Sequence, residues 1–533
     1  MSLHESHATI RTDVIPGGRQ HPQAIGRLVE LVAIGLLTEI IYLSFSVAYP
    51  LVGNTQNATT IFDLEKLTSD RPWLAGVYFG GVCLLFLLFW RALHLAQQIA
   101  AEVPHRTLLK LLMLGFGVLF AFTLAWLYPI TANDLFRYVL RGRVWAVHGA
   151  SPMLSPPNSF PSDPYILFAG EFGDWVSGYG PLWELLVQVP LRLGFTDMVP
   201  GAMSLKFLVL LFYVVSAFLI GWIAWPAGKD AGKVAVSGLV IFAWNPMILL
   251  EGLGNGHNDM VLMALMILGV ILWERKVWWG AAVALSLGAL SKATGLLMLP
   301  LFGIALLAGE HSWGRRLARG AVILGIFMLL VLLLYSAVGP IAQTLRGVTD
   351  MLTLRRGYAL ASSLRVILRE IVPAQIAEPI PRNTGRALFI LFYAGLMLQL
   401  WRKKLNLTSA AFLAYFAQLM FGRTFRVWYP IWLIPLAALC PVSATFWRMF
   451  LFSLAGELYV LNTFLWRWWL MDWSWGQSGF LSAYWDKWTI INVMALPWFV
   501  LPLFGPIIIR WGQKLYAAQK APTSWTSHSP GAA

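Results

Sequence analysis

The sequence predicts an all-α, polytopic membrane protein of about fourteen transmembrane helices. Three observations carry that reading. Hydrophobic residues make up 58% of the chain and charged residues 12%, against roughly a quarter charged in a soluble domain. The apolar residues gather in segments of about 16–25, each near the ~20 that a helix needs to cross the hydrocarbon. The alternating segments of about ten residues that build a transmembrane barrel are not visible.

Taken in order, residues 1–26 are polar and read as a cytoplasmic, unstructured N-terminus, without the short apolar core and small-residue cleavage site of a signal peptide. Residues 27–511 read as a single transmembrane domain with spans at 27–50, 73–97, 108–130, 203–226, 234–252, 259–274, 277–292, 294–309, 316–338, 385–401, 407–422, 428–442, 446–466 and 488–511. The segment 181–194 is apolar but interrupted by Glu184, Gln188, Pro190 and Arg192, and is taken as a helix that does not cross. That choice places Arg106/Lys110, Lys229/Lys233, Arg275/Lys276, Arg315/Arg316/Arg319, Arg402/Lys403/Lys404 and Lys514/Lys520 on one side, the cytoplasm. It puts an outer loop 131–200, the Glu251–Asp259 segment, a second outer loop 339–384 and the Arg423–Tyr429 turn together on the other. The Trp-dense stretch Trp466–Trp485 resembles an interfacial aromatic belt, and the tail 512–533 reads as cytoplasmic, disordered at its end.

The formal net charge of +14 is scattered along loops between apolar runs. Anionic headgroups and lipid-linked phosphates suit that distribution better than nucleic acid does. Cys83 and Cys440 lie inside apolar runs and read as core residues with no disulfide framework. No Gly-x-x-x-x-Gly-Lys-Ser/Thr loop points to a nucleotide-driven pump. With neither an Asp-x-Asp pair in the outer segment nor a His-x-x-x-His, no metal or other cofactor is expected.

Four constellations carry chemistry. The first begins at Asp134, directly after an apolar run. On a helix from 134, Asp134, Arg137, Tyr138, Arg141, Trp145 and His148 fall on one face and Leu135, Phe136, Val139, Leu140 and Val147 on the other. This predicts an interfacial helix with a carboxylate among cations, able to accept a proton from a sugar hydroxyl beside an anionic leaving group. The bland alternative is a first-turn carboxylate paired with its own helix. The second is Glu251-Gly-Leu-Gly-Asn-Gly-His-Asn-Asp259, where His257, Asn258 and Asp259 open a helix and glycines allow close approach of a ligand; its alternative is a tight hairpin capped by Asn258 or Asp259. Lys292, near a span end, either holds a phosphate or snorkels to headgroups. Arg355, Arg356, Arg423 and Arg426 form an outer positive set, the last two interleaved with Trp428 and Tyr429, on which a sugar or a lipid interface can stack.

Asn133-Asp-Leu-Phe-Arg-Tyr-Val-Leu-Arg-Gly-Arg, then Gly149-Ala-Ser-Pro152, Pro156-Pro157 and Tyr179-Gly-Pro-Leu-Trp183, resemble the first outer loop of bacterial polyprenol-phosphate-mannose-dependent mannosyltransferases, polytopic enzymes of the GT-C class. Gly256-His-Asn-Asp259, Ser291-Lys292 and Trp428-Tyr-Pro-Ile-Trp432 are similar to later blocks of that group, and the blocks together cover roughly residues 105–440. Two extra apolar runs precede the loop here, and Ser-Pro-Met stands where Asn/Asp-Pro-Tyr is commoner. The resemblance implies a GT-C-like fold with interfacial helices in 131–200, and inverting transfer from a lipid-linked monophosphate sugar with Asp134 as general base.

The expected function is therefore extracytoplasmic transfer of a sugar, mannose first, from a polyprenyl-monophosphate donor to a glycan or lipid-linked acceptor. Arg137, Arg141, Lys292, Arg355, Arg356 and Arg426 are expected at the donor phosphate, and Tyr138, His148, Tyr179, His257, Asn258, Asp259, Trp428 and Tyr429 around sugar and acceptor. The expected location is the inner cell membrane, with both termini cytoplasmic. The rival reading is a lipid or solute transporter whose path those charges line. An enzyme should show one cavity joining Asp134, His257 and Lys292 on the outer side, with a lateral opening to lipid, whereas a path open alternately to both sides would favour transport.

Overall fold

The computed structural model describes residues 21–56, 64–68, 71, 73–102, 106–225, 231–346, 359–422, 424–464 and 496–520. Among them are helices and no strand; a single bridge pairs Pro50 with Leu127. Arg355, Arg356, Arg423, the Trp466–Trp485 stretch and the chain end beyond 520 lie outside the described residues.

The first three long helices are α1 (His21–Ala48), α2 (Trp73–Glu102) and α3 (Arg106–Leu124). Then come α4 (Asp134–Ala146), α5 (Pro181–Arg192), α6 (Met198–Phe218) and α7 (Ala231–Ala243). The middle of the chain supplies α8 (Asp259–Glu274), α9 (Trp278–Ser291), α10 (Met298–Gly309) and α11 (Trp313–Val338). The remainder gives α12 (Leu360–Arg369), α13 (Pro379–Trp401), α14 (Leu407–Phe421), α15 (Leu433–Leu439), α16 (Ser443–Phe464) and α17 (Leu496–Lys520).

Six of the described helices are long and apolar enough to cross a membrane, and α7 with the turn Ile248–Gly254 makes a seventh if that pair, bent by 53°, is one span. This is the helical membrane protein that the composition predicts, but the count of fourteen is not confirmed. Several predicted spans are short helices instead: α9 has 14 residues and α14 has 15, while 428–442 resolves into a 3-10 turn Tyr429–Trp432 and the seven-residue α15. At 1.5 Å per residue a 14-residue helix rises only about 21 Å, short of the ~30 Å of hydrocarbon. The same measure keeps α5, with 12 residues, from crossing by itself.

The predicted span 234–252 breaks at Trp244-Asn245-Pro246, where Asn245 Oδ1 accepts Met247 N–H at 3.0 Å. Proline has no N–H to continue the ladder and disfavours helix in the residue before it. Irregular backbone at membrane depth needs protein around it, and every residue from Phe242 to Leu262 is buried. Cys83, expected in the core, is instead exposed, and Cys440 is half-buried.

Helix α4 forms as its periodicity predicts but ends sooner. It stops at Ala146, before Gly149, whose φ is +71°, so His148 lies past the helix. Nor does α4 lie on an open interface. It packs on α5, α6 and the 3-10 segment Ile166–Phe172, and Tyr138, Arg141 and Arg143 are as buried as Leu135, Phe136 and Val139. Glycines allow this: a Cβ on Gly142 would strike Leu191 and Val187 of α5, and one on Gly201 of α6 would come 2.8 Å from Val139.

Candidate active site

Asp134 opens α4 after the bend Tyr128–Asn133, and its side chain retains 14% exposure. Oδ1 accepts Arg137 Nη1 at 3.0 Å, one helical turn on, and Oδ2 accepts the Tyr179 hydroxyl at 3.3 Å. Arg137 lies 4.1 Å from the centre of the Phe172 ring, so packing from the 3-10 segment fixes its guanidinium. The helix N-terminus adds its positive end to the same place. The carboxylate is thus held by two partners yet still reachable from outside.

The Glu251–Asp259 segment comes against Asp134 from the other side. His257 Nδ1 is 4.0 Å from Asp134 Oδ2, and its Nε2 is 3.4 Å from Glu251 Oε2. Glu251 is fully buried and accepts Thr131 Oγ1 at 2.6 Å and Asn255 Nδ2 at 2.7 Å. Asn255 Oδ1 in turn accepts Ile130 N–H at 2.8 Å, tying the loop to the bend ahead of Asp134. Gly256 sits at φ +71°, a conformation other residues rarely adopt, and an added Cβ there would meet Leu135 at 3.0 Å. Beneath the loop, Lys206 of α6 is buried and donates to the Leu124, Leu127 and Gly254 carbonyls, using all three ammonium protons on helix-end oxygens.

Lys292 closes the cluster. It leaves α9 in extended conformation and pairs with Asp259 Oδ2 at 2.7 Å, while Asp259 Oδ1 accepts Trp432 Nε1 at 2.5 Å. Asn258 Oδ1 receives both the Tyr138 hydroxyl and Lys292 Nζ at 3.4 Å, joining α4 to α9. Neither Asn258 nor any other side chain caps α8, so the simple-cap alternative does not hold. Tyr179, Tyr429 and Trp432 surround the ammonium, each ring centre about 6 Å away. His257 stacks on Trp428 at 4.3 Å and Tyr429 on Trp432 at 4.4 Å. The register is set by Gly180, whose N–H donates to Ser291 O at 3.1 Å and whose missing Cβ leaves space for the Leu290 carbonyl.

Asp134, Arg137, Tyr138, Tyr179, His257, Asn258, Asp259, Lys292, Trp428 and Tyr429 therefore converge at one end of the helices. Their exposures sort them. The side chains of Asp134, Arg137 and Lys292 keep 12–14%, whereas His257, Asn258 and Asp259 have at most 1%. Expected around the sugar, these three instead stand behind the groups that face out. Arg141 is buried, 5.9 Å from the Tyr179 ring centre, and Arg426 is half-buried in the loop before Trp428, without an ion pair among the described residues. Among the described residues no group of three or more His, Cys, Asp or Glu is arranged to hold a metal ion.

His148 belongs to a different cluster. Its Nε2 lies 2.7 Å from Asp163 Oδ2, and Asp163 also receives Arg143 Nε at 3.1–3.2 Å and Tyr165 N–H at 2.9 Å. Arg143 continues to Thr196 O at 2.6 Å, so the clamp fastens the Pro-rich coil to the end of α4. Burial pushes the Asp163 carboxyl upward, but His148, Arg143 and Tyr165 N–H outweigh it and the net shift is downward. A depressed carboxylate stabilises the fold above its unfolded pKa, near ~4, and that contribution is lost as pH falls through the lower folded value. Asp163→Asn should cost roughly 3 kcal/mol, the scale for breaking a buried pair, and speed proteolytic nicking within 151–165. Thermal unfolding and limited proteolysis in detergent at neutral pH check both. The sequence reading missed Asp163 and Lys206, whose partners lie far along the chain.

Residues 32–308 match the family described as alpha-(1->6)-mannopyranosyltransferase, N-terminal domain, over just over half of the chain. The chain belongs to this family. Among relatives, alpha-(1->6)-mannopyranosyltransferase B of Corynebacterium glutamicum is 22% identical over 346 residues, 58% of this chain and 56% of the relative. Alpha-(1->6)-mannopyranosyltransferase A of Mycobacterium tuberculosis is 24% identical over 273 residues, half of each chain. The chain thus spans about half the length of these relatives. The family match ends after Lys292 and takes in Asp134, Tyr179 and His257–Asp259; Trp428, Tyr429 and Trp432 reach the cluster from outside it.

Proposed function

We propose that this protein transfers mannose from a polyprenyl-monophosphate donor to a glycan or lipid-linked acceptor, with inversion, on the extracytoplasmic face of the cell membrane. The observation that carries this reading is the pairing of a reachable carboxylate, Asp134, with the cations Arg137 and Lys292 at one end of an apolar bundle. Asp134 takes the proton from the acceptor hydroxyl as its oxygen bonds to the anomeric carbon. The carbon–oxygen bond to phosphate breaks and its electron pair leaves on the lipid phosphate. That group is already an anion, and the two cations stabilise the added charge at departure. Trp428, half-buried at the edge of the cluster, offers aromatic surface suited to a sugar ring, and a prenyl chain suits the apolar outer faces of the helices.

Membership of a mannopyranosyltransferase family favours this over a transporter, as does the clustering of charge at one end with a single bent helix pair among the described residues. The test supplies purified protein in nanodiscs with labelled polyprenyl-phosphate mannose, polyprenyl-phosphate glucose or nucleotide-linked mannose, and octyl α-mannopyranoside as acceptor. A disaccharide product formed from the lipid-linked mannose alone, with an α linkage by nuclear magnetic resonance, is expected. Transfer from the nucleotide sugar, or none from any donor, would sink the reading.

A further inference from the structure

The Asp134–His257–Glu251 line has a geometry that the proposed transfer does not use. The His257 ring has no exposed surface, and neither nitrogen has a hydrogen-bond partner within normal reach, yet each faces a carboxylate: Nδ1 is 4.0 Å from Asp134 Oδ2 and Nε2 is 3.4 Å from Glu251 Oε2. Buried imidazole nitrogens without partners are costly, and Trp428 stacked at 4.3 Å keeps the ring from turning away. A fully buried carboxylate also calls for a compensating charge. Glu251 has hydrogen bonds from Thr131 and Asn255, but among the described residues its only ion-pairing neighbour is His257.

We infer that His257 and Glu251 form a proton relay behind Asp134, His257 receiving on Nδ1 the proton that Asp134 takes from the acceptor and Glu251 stabilising the resulting imidazolium. The inference rests on Asp134 being the base. The balance is simple. The acceptor O–H bond breaks and its proton goes to Asp134 Oδ2; that O–H bond then breaks as the Nδ1–H bond forms. Neutral His257, protonated on Nε2 toward Glu251, becomes a cation, and returns the extra proton through Asp134, which is partly exposed, to water once the product has left. Asp134 is thereby a carboxylate again before the next acceptor enters. The 4.0 Å gap is no obstacle, because catalytic hydrogen bonds are often long without substrate and tighten around it. His257 and Glu251 touch no substrate, so both are positioning residues.

Other charges bear on the same imidazole and set the direction of the pH response. Arg137 neutralises Asp134 on its far oxygen, the Lys206 ammonium lies under Gly254, Lys292 is matched by Asp259, and Glu457 of α16 is close enough to Glu251 for their charges to interact. Protonating His257 beforehand removes its capacity to accept, so the relay makes the rate fall on the acid side.

Steady-state transfer from polyprenyl-phosphate mannose to octyl α-mannopyranoside, followed from pH 5 to 9 with full-length protein in nanodiscs, tests this. His257→Gln should lower the rate about 10²-fold, the lower end for a positioned proton-transfer group, with donor KM little changed and the acid limb gone. Glu251→Gln is nearly isosteric and should keep the limb but move its midpoint to lower pH, because the imidazolium loses its carboxylate. A wild-type rate flat through the acid range, or His257→Gln protein with the wild-type rate and profile, overturns the relay. Those results beside an inactive Asp134→Asn protein leave the base assignment standing; an active Asp134→Asn protein removes the assignment itself. Should His257→Gln fail to fold, the wild-type profile and Glu251→Gln decide the matter.

Discussion

Asp134→Asn protein is expected to fold, to bind donor with nearly unchanged KM, and to lose about 10²–10⁴-fold in kcat, the range removed when a positioned general base is deleted. The substitution is matched to the geometry. Asparagine keeps an oxygen for Arg137 Nη1 at 3.0 Å and places an amide near the Tyr179 hydroxyl, so shape and most contacts survive while basicity does not. The side chain is partly exposed and its partner Arg137 retains 13% exposure, so little stability is at stake. A kcat loss without a KM loss would mark an interaction made only in the transition state. Asp134→Glu adds one methylene at a position closed in by Tyr179 and His257, and should recover only a fraction of the rate. Equal kcat for wild-type and Asp134→Asn protein, at matched melting temperature in detergent, would end the base assignment. Mannose transfer measured with the lipid-linked donor supplies the readout.

The convergence of the site was legible in the sequence because polar residues at membrane depth are rare, and each stood where an apolar run ended: Asp134, Glu251–Asp259, Lys292 and Trp428–Tyr429. Their end-to-end order makes helices starting at Asp259 and ending at Ser291 bring those termini together, which the Lys292–Asp259 pair at 2.7 Å bears out. Helix α4 was legible through its periodicity, and its end was available too, in the positive φ of Gly149 that stops it short of His148. The break in α7 was written in Asn245-Pro246 and passed over because a count of apolar residues does not see a bend. Span length alone also does not say whether a helix such as α9 or α14 is covered by protein or by lipid, and most of both is buried. Partners such as Asp163 for Arg143 or the carbonyls around Lys206 were not legible at all, because a folded Pro-rich coil and two helix ends bring them together. Burial separates two kinds of residue that look alike in sequence, Asp134 facing out and His257 standing behind it.

Lys292 tests whether a cation at this position serves the fold, the donor, or both. Lys292→Met removes the partner of a carboxylate with no exposed surface, leaving Asp259 with the Trp432 indole at 2.5 Å and no cation in contact. Breaking such a pair from one side costs about 3–5 kcal/mol, because the remaining charge is stranded. The single variant should therefore unfold at markedly lower temperature, and by itself says nothing about phosphate. The double variant Lys292→Met/Asp259→Asn removes both charges and keeps an amide oxygen to accept from Trp432, so it should regain most of the lost stability. Its activity separates the roles. A lysine that neutralises the departing phosphate leaves the stable double variant at least about 10²-fold slower in kcat than wild type, whereas a purely structural ion pair would let activity return together with melting temperature. Arginine at 292 retains the charge but exchanges a compact ammonium for a planar fork in a pocket walled by Tyr179, Tyr429 and Trp432. It should preserve stability better than methionine does and transfer more slowly than lysine, because the charge is kept while its distance to the phosphate is not.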